Sequence, residues 1–112
     1  MNLMPKFSTC LFERSKDWVT IWFNRPEKRN ALSANLIKDL QSALKMIYKD
    51  TTIRGVVFRG KGNVFCAGAD LSEMKSIHAS KANSRDLAIK MSERIGELLK
   101  AINRADQITV SV

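Results

Sequence analysis

Histidine, cysteine and proline are scarce in this sequence: one His, two Cys and two Pro in 112 residues. Two cysteines cannot build a disulfide framework, and their number suits a reducing compartment. That points to an intracellular protein, cytoplasmic or, in a eukaryote, mitochondrial. The one histidine, His78, stands in a polar stretch with no sequence neighbour that would complete a triad or a metal site, so solvent exposure is expected. No zinc-ligand spacing, P-loop or Rossmann glycine pattern occurs. No apolar run approaches the length of a membrane span. The opening Met-Asn-Leu-Met-Pro-Lys lacks a basic region followed by an apolar one, which argues against a secretory signal. There is no internal repeat and no low-complexity segment. Acidic residues are also in short supply, 11 against 19 Lys and Arg, for a net charge of +8. Such a balance favours anionic partners: a phosphorylated small molecule, nucleic acid or an acidic surface. The basic residues are scattered, however, and scattered charge is most often solvated surface.

What is present reads as a soluble α/β domain. Hydrophobic residues make up 45% and charged residues 27%, ordinary values for one globular domain with a modest core. Residues 7–13 read as a first strand, 14–17 as a polar turn, and 18–23, rich in aromatic and β-branched residues, as a second strand paired to the first in a hairpin. Pro26 ends that strand and opens a loop. Ser33 is placed to cap the next helix. Leu36, Ile37, Leu40, Leu44 and Ile47 then recur at helical spacing and give that helix one apolar face. Residues 53–58 read as a buried strand, and Gly60-Lys61-Gly62 as a tight turn. Residues 71–75 read as a short helix, and 76–84 as a mobile polar loop or helix fragments over a ligand site. Leu87, Met91, Ile95, Leu98 and Ile102 mark a second long amphipathic helix. Gly96 inside it costs about 1 kcal/mol relative to Ala, which suggests close helix packing there. Residues 107–112 read as a final strand. The alternation after the hairpin favours β-α-β crossovers.

The chain is organised around Asn-Val-Phe-Cys-Ala-Gly-Ala-Asp at 63–70, which follows a strand and opens a helix. Small side chains there let a ligand approach the backbone. The unpartnered N–H groups at a helix start lie at the positive end of its dipole. Such a loop can hold an oxyanion, or Ala-Gly-Ala can simply pack against a neighbouring strand. Upstream, Asn-Arg-Pro-Glu-Lys-Arg-Asn-Ala-Leu-Ser at 24–33 stands between a strand and an amphipathic helix. Together with Val56-Val57-Phe58-Arg59-Gly60, these two stretches resemble the crotonase superfamily, the enoyl-CoA hydratases and isomerases. The likeness runs from about Trp18 to the end of the chain. It implies the N-terminal part of a crotonase-type ββα spiral, with residues 1–112 forming a single, incomplete domain of that kind.

The resemblance also implies roles. The Ala69 backbone N–H would be one of two donors to a thioester oxygen, and losing one such donor can cost on the order of 3 kcal/mol. Because that donor is backbone, the sensitive residue would be Gly68, if it needs positive φ or close approach. Groups near Ala67, Gly68, Asp70 and Leu71 would hold coenzyme A, Ala31 and Leu32 would flank its pantetheine, and Lys28 or Arg29 would meet its phosphates. Lys28 and Arg29 read equally well as solvated loop charge, and Asp70 as a helix N-cap. Cys66 reads as packing and Cys10 as a core or strand residue. Glu73 and Glu97 read as surface residues. No separate cofactor is implied, coenzyme A being part of the acyl-CoA substrate. The family's second oxyanion donor, in a glycine-rich segment after the next strand, and its acid/base glutamates would fall beyond Val112. Hydration of a 2-enoyl-CoA would then belong to the full-length parent, a homotrimer or hexamer, and not to this chain alone. The alternatives are a non-catalytic isoform or fragment acting through a partner at its terminal strand edge, or an RNA-binding relative. Basic and aromatic residues do not interleave as in a recognisable RNA module.

Overall fold

The computed structural model describes residues 6–112, so the sequence reading of the first five residues lies outside it. Seven principal elements follow one another: β1 (Cys10–Ser15), β2 (Trp18–Phe23), α1 (Ala34–Lys49), β3 (Gly55–Gly60), α2 (Leu71–Ala79), α3 (Ser84–Asn103) and β4 (Ile108–Ser111). The strands form one sheet in the order β1-β2-β3-β4. β1 and β2 are the antiparallel hairpin, and β3 and β4 add in parallel. The expected hairpin followed by helices and strands is therefore present.

The first strand lies later than the sequence suggested, at 10–15 instead of 7–13. It is pinned by its register with β2, in which Cys10 faces Phe23 and Ser15 faces Trp18. The hairpin turn shrinks to Lys16 and Asp17, with Lys16 at a φ of 57°. The third strand is likewise displaced, to 55–60, because Trp18 pairs with Gly55 and Phe23 with Gly60. Alternation along β2 sends Val19, Ile21 and Phe23 to one face, and register puts Val56 and Phe58 beside the first two of these. Onto that face α1 packs Leu36, Ile37, Leu40, Leu44 and Ile47, and α3 adds Leu98. Each such fully buried Leu or Ile is worth about 1.5–3 kcal/mol over leaving it exposed. Ser33 caps α1, its Oγ accepting the Leu36 N–H at 3.1 Å.

Of three further expectations, two are narrowed and one is corrected. Of the two readings of 76–84, loop or helix fragments, residues 76–79 take the second: α2 continues to Ala79, leaving only 80–83 as a connection. The second long amphipathic helix is present as α3; in its apolar stripe Met91 and Leu98 are buried, and Ile95 and Ile102 are half-buried against the core. Gly96 is not a site of close packing, since a Cβ there would meet nothing within 4 Å.

Candidate functional site: two loops zipped together at Ala69

Two loops that lie far apart in sequence, 24–33 and 61–70, are fastened to each other. The Leu32 N–H donates to the Gly68 carbonyl at 2.7 Å, and the Ala67 N–H donates to the Arg29 carbonyl at 3.1 Å. Leu32 and Ala69 form an isolated parallel bridge. Arg25 adds a clamp. Its Nη1 donates to the Ala31 carbonyl at 2.6 Å and its Nη2 to Asp70 Oδ2 at 3.1 Å. Asp70 is buried and also caps α2, with Oδ1 accepting the Glu73 N–H at 3.0 Å. Burial works against its ionisation, but the Glu73 N–H and the Arg25 guanidinium outweigh it and hold the carboxyl below the usual carboxylate range.

Asn30 is the second fastener. It is fully buried, at a left-handed φ of 55°. Its Oδ1 accepts the Arg25 N–H at 2.8 Å, while its Nδ2 donates to the Lys61 and Val64 carbonyls at 3.0 and 2.7 Å. Asparagine suits this position because it tolerates the left-handed region and its amide can replace missing backbone partners. Gly60 completes the fit: a Cβ there would come within 2.6 Å of the Val64 and Phe65 carbonyl oxygens.

Glu73 is not the plain surface residue that the sequence suggested. Its Oε1 accepts the Ala34 N–H at 2.7 Å, at the start of α1, and its Oε2 lies 3.8 Å from Arg94. A carboxylate at a helix N-terminus complements the dipole, so one side chain ties the starts of α1 and α2 together. Glu97 is exposed, 3.6 Å from Lys100. His78 is exposed as expected.

The zipped loops leave Ala69 between two clefts. Gly68 stands at a φ of 99°, with open space where a Cβ would be, so conformation and not crowding restricts the position to glycine. Among the described residues, no acceptor takes the Ala69 N–H. On one side is a cleft of about 670 Å³ bearing the cations Lys28, Arg29 and Lys75 and the acids Glu27 and Asp70, with Ala31, Ala67 and Leu71 also in its wall. Leu32 and Gly68 are not part of that wall; they are joined to each other by the Leu32 N–H bond to the Gly68 carbonyl. On the other side is a cleft of about 610 Å³ between α2 and α3. A smaller apolar cavity of about 290 Å³, walled by Phe23, Leu32, Phe58, Phe65 and Leu98, lies beneath. Cys66 is half-buried against the core and borders both this cavity and the basic cleft.

Sequence reasoning missed Lys75, Arg25 and Asn30. Lys75 could have been found from its spacing: it lies four residues after Leu71, on the same helix face. Arg25 and Asn30 stand inside the motif at 24–33, but the partners that tie them to the other loop are 31 to 45 positions away. Among the described residues, no cluster of His, Cys, Asp and Glu could hold a metal ion. No described helix is long and apolar enough to cross a membrane.

The family model for enoyl-CoA hydratase/isomerase matches residues 13–112. The chain belongs to the enoyl-CoA hydratase/isomerase family. It is 33% identical over 82 residues to a probable mitochondrial enoyl-CoA hydratase of Dictyostelium discoideum, an alignment covering 73% of this chain and 30% of that protein. It is 38% identical over 72 residues to the mitochondrial methylglutaconyl-CoA hydratase of Mus musculus, covering 63% of this chain and 23% of the relative. Among solved structures it superposes on Pseudomonas aeruginosa AtuE with a TM-score of 0.84 at 30% identity, over 93% of this chain and 39% of that one. An enoyl-CoA hydratase from Mycobacterium smegmatis gives a TM-score of 0.83 at 32% identity, over 92% and 38%. The hairpin, helices and strands of this chain therefore form part of a crotonase fold, and the chain spans under half the length of these family members.

Proposed function

We propose that these residues form the coenzyme A-binding part of a site that stabilises the enolate of an acyl-CoA thioester, and that the whole protein's reaction is hydration of a 2-enoyl-CoA. One observation carries the reading: an unclaimed backbone N–H, that of Ala69, stands where a cleft lined by three cations meets a mostly apolar cleft. A CoA thioester has that polarity, with phosphates at one end, an acyl chain at the other and the carbonyl between them. When water adds across the double bond, its oxygen bonds to C3 as one of its protons passes to a base, the C2–C3 π bond breaks, and electron density moves onto the thioester oxygen. A fixed N–H donor at that oxygen lowers the barrier, because it is aligned before the charge develops. The enolate then collapses as a proton is delivered to C2. Lys28, Arg29 and Lys75 would meet the phosphates, Ala31 and Ala67 the pantetheine, and coenzyme A enters as part of the substrate. The second oxyanion donor and the acid/base glutamates of the hydratase reaction are assigned to sequence outside these 112 residues.

Calorimetric titration with coenzyme A and with pantetheine, which lacks the phosphates, tests the reading. Coenzyme A is expected to bind at least ~tenfold more tightly, a difference of about 1.4 kcal/mol. A Lys28→Ala/Arg29→Ala/Lys75→Ala variant should bring the two together. Equal binding of both ligands by the unaltered chain would overturn the assignment.

A further inference from the structure

The cleft between α2 and α3 is not uniformly apolar. The short turn at 80–83 sends α3 back past α2. Near Ala69 the walls are Met74, Met91 and Ile95, but Arg85, His78 and Ser84 stand where the two helices meet the turn. No carboxylate belongs to the wall, and the neighbouring acid Asp86 is not part of it. Among the described residues Arg85 makes neither an ion pair nor a side-chain hydrogen bond. It lies in the first turn of α3, and the N-cap residue Asn83 gives that turn no side-chain acceptor. The exposed N–H groups and the positive end of the helix dipole add to the guanidinium, and Asp86 in the same turn offsets part of that field.

We propose that the acyl group taken by this site carries a carboxylate at its far end: a medium-chain ω-carboxyacyl-CoA, with the terminal carboxylate on Arg85 and with His78 and Ser84 beside it. The proposal rests on the reading of Ala69 as the thioester donor. Seven residues of α2 separate Leu71 from His78, a rise on the order of 10 Å, so a chain of medium length spans the distance. Arg85 and His78 are exposed, so an uncharged acyl chain in this cleft leaves the guanidinium solvated and unpaired. A carboxylate there forms charge-assisted hydrogen bonds in the fork geometry that arginine presents. The apolar walls near Ala69 accept the methylenes of either chain, so discrimination falls to the charged end.

The test compares coenzyme A, octanoyl-CoA and suberoyl-CoA by calorimetric titration of the 112-residue chain, its Arg85→Met and Arg85→Lys variants, and Lys90→Met. Lys90 is exposed on α3 outside the cleft, so K90M removes one charge without touching the wall. Suberoyl-CoA is expected to bind ~tenfold more tightly than octanoyl-CoA. R85M should abolish that ratio while leaving coenzyme A binding unchanged, R85K should retain part of it, and K90M all of it. If coenzyme A itself does not bind, the proposed function fails and this inference falls with it. If coenzyme A binds but the two thioesters are equivalent, or the preference survives R85M or disappears in K90M, only the carboxylate inference is overturned.

Discussion

Replacing Asn30 by alanine tests how the two site loops are held. The side chain makes three hydrogen bonds, one to the Arg25 N–H and two to the Lys61 and Val64 carbonyls. A hydrogen bond contributes about 1 kcal/mol net, and a buried group left without a partner costs about 1–3 kcal/mol. The position is fully buried and has a φ of 55°, which alanine adopts at a cost of about 1 kcal/mol. Asn30→Ala should therefore destabilise the chain by roughly 4 kcal/mol, a large share of the 5–15 kcal/mol that holds a domain of this kind together. Asn30→Gly separates the two contributions. It loses the same hydrogen bonds but removes the backbone strain, so it should be less destabilising than alanine by about 1 kcal/mol. Urea titration followed by the fluorescence of Trp18 and Trp22, both half-buried in β2, measures the difference. If both variants fall within about 0.5 kcal/mol of the parent, the range of an ordinary surface change, then Asn30 does not fasten the loops and the account of the site is wrong.

Other consequences can be measured on the same material. Gly68→Ala has room for its methyl group but not the backbone for it, so it should cost about 1–2 kcal/mol and weaken coenzyme A binding several-fold. Unchanged affinity would detach the conformation of Gly68 from ligand binding. The folded-state pKa of Asp70 is lowered, so its contribution to stability is fully present above the unfolded value of about 3.9 and is lost as pH falls through the lower folded value. Thermal denaturation from neutral pH to pH 3 should accordingly fall more steeply for the parent chain than for Asp70→Asn, and parallel curves would contradict this. Burial raises the Cys10 thiol to about 11, against the hydrogen bond from Thr9 and helped by the charge of Asp39. A thiol reagent at pH 8 should therefore label half-buried Cys66 well before Cys10, and coenzyme A should slow that labelling because Cys66 borders the basic cleft.

Much of the local structure was legible because its causes are local. The apolar face of α1 follows from the spacing of Leu36, Leu40, Leu44 and Ile47, and its start from the hydroxyl of Ser33. In α3 the same spacing marks a stripe in which Leu98 is buried in the core with Ile95 and Ile102 half-buried against it, while Met91 is buried beside the cleft with α2. Spacing left 76–79 open between loop and helix fragments, and these residues are helix. That helix buries no residue and shows little apolar patterning; it is held by the Asp70 cap and by Glu73 at its first turn.

The sequence by itself determined the family, the order of the elements, and the two motifs that face each other. These depend on residue types at fixed short spacings, which the chain states directly. Only the tertiary structure decided that Arg25 pairs with Asp70, that Asn30 bonds the far side of β3, that Lys75 joins Lys28 and Arg29, and that Ala69 stands between a basic and a mostly apolar cleft. The physical reason is register. Parallel pairing of β2 with β3 brings the loops that follow them to the same end of the sheet, tens of residues apart in sequence. There, backbone groups with no partner in their own loop are satisfied by the other loop, and the Ala69 N–H is left over for the proposed thioester.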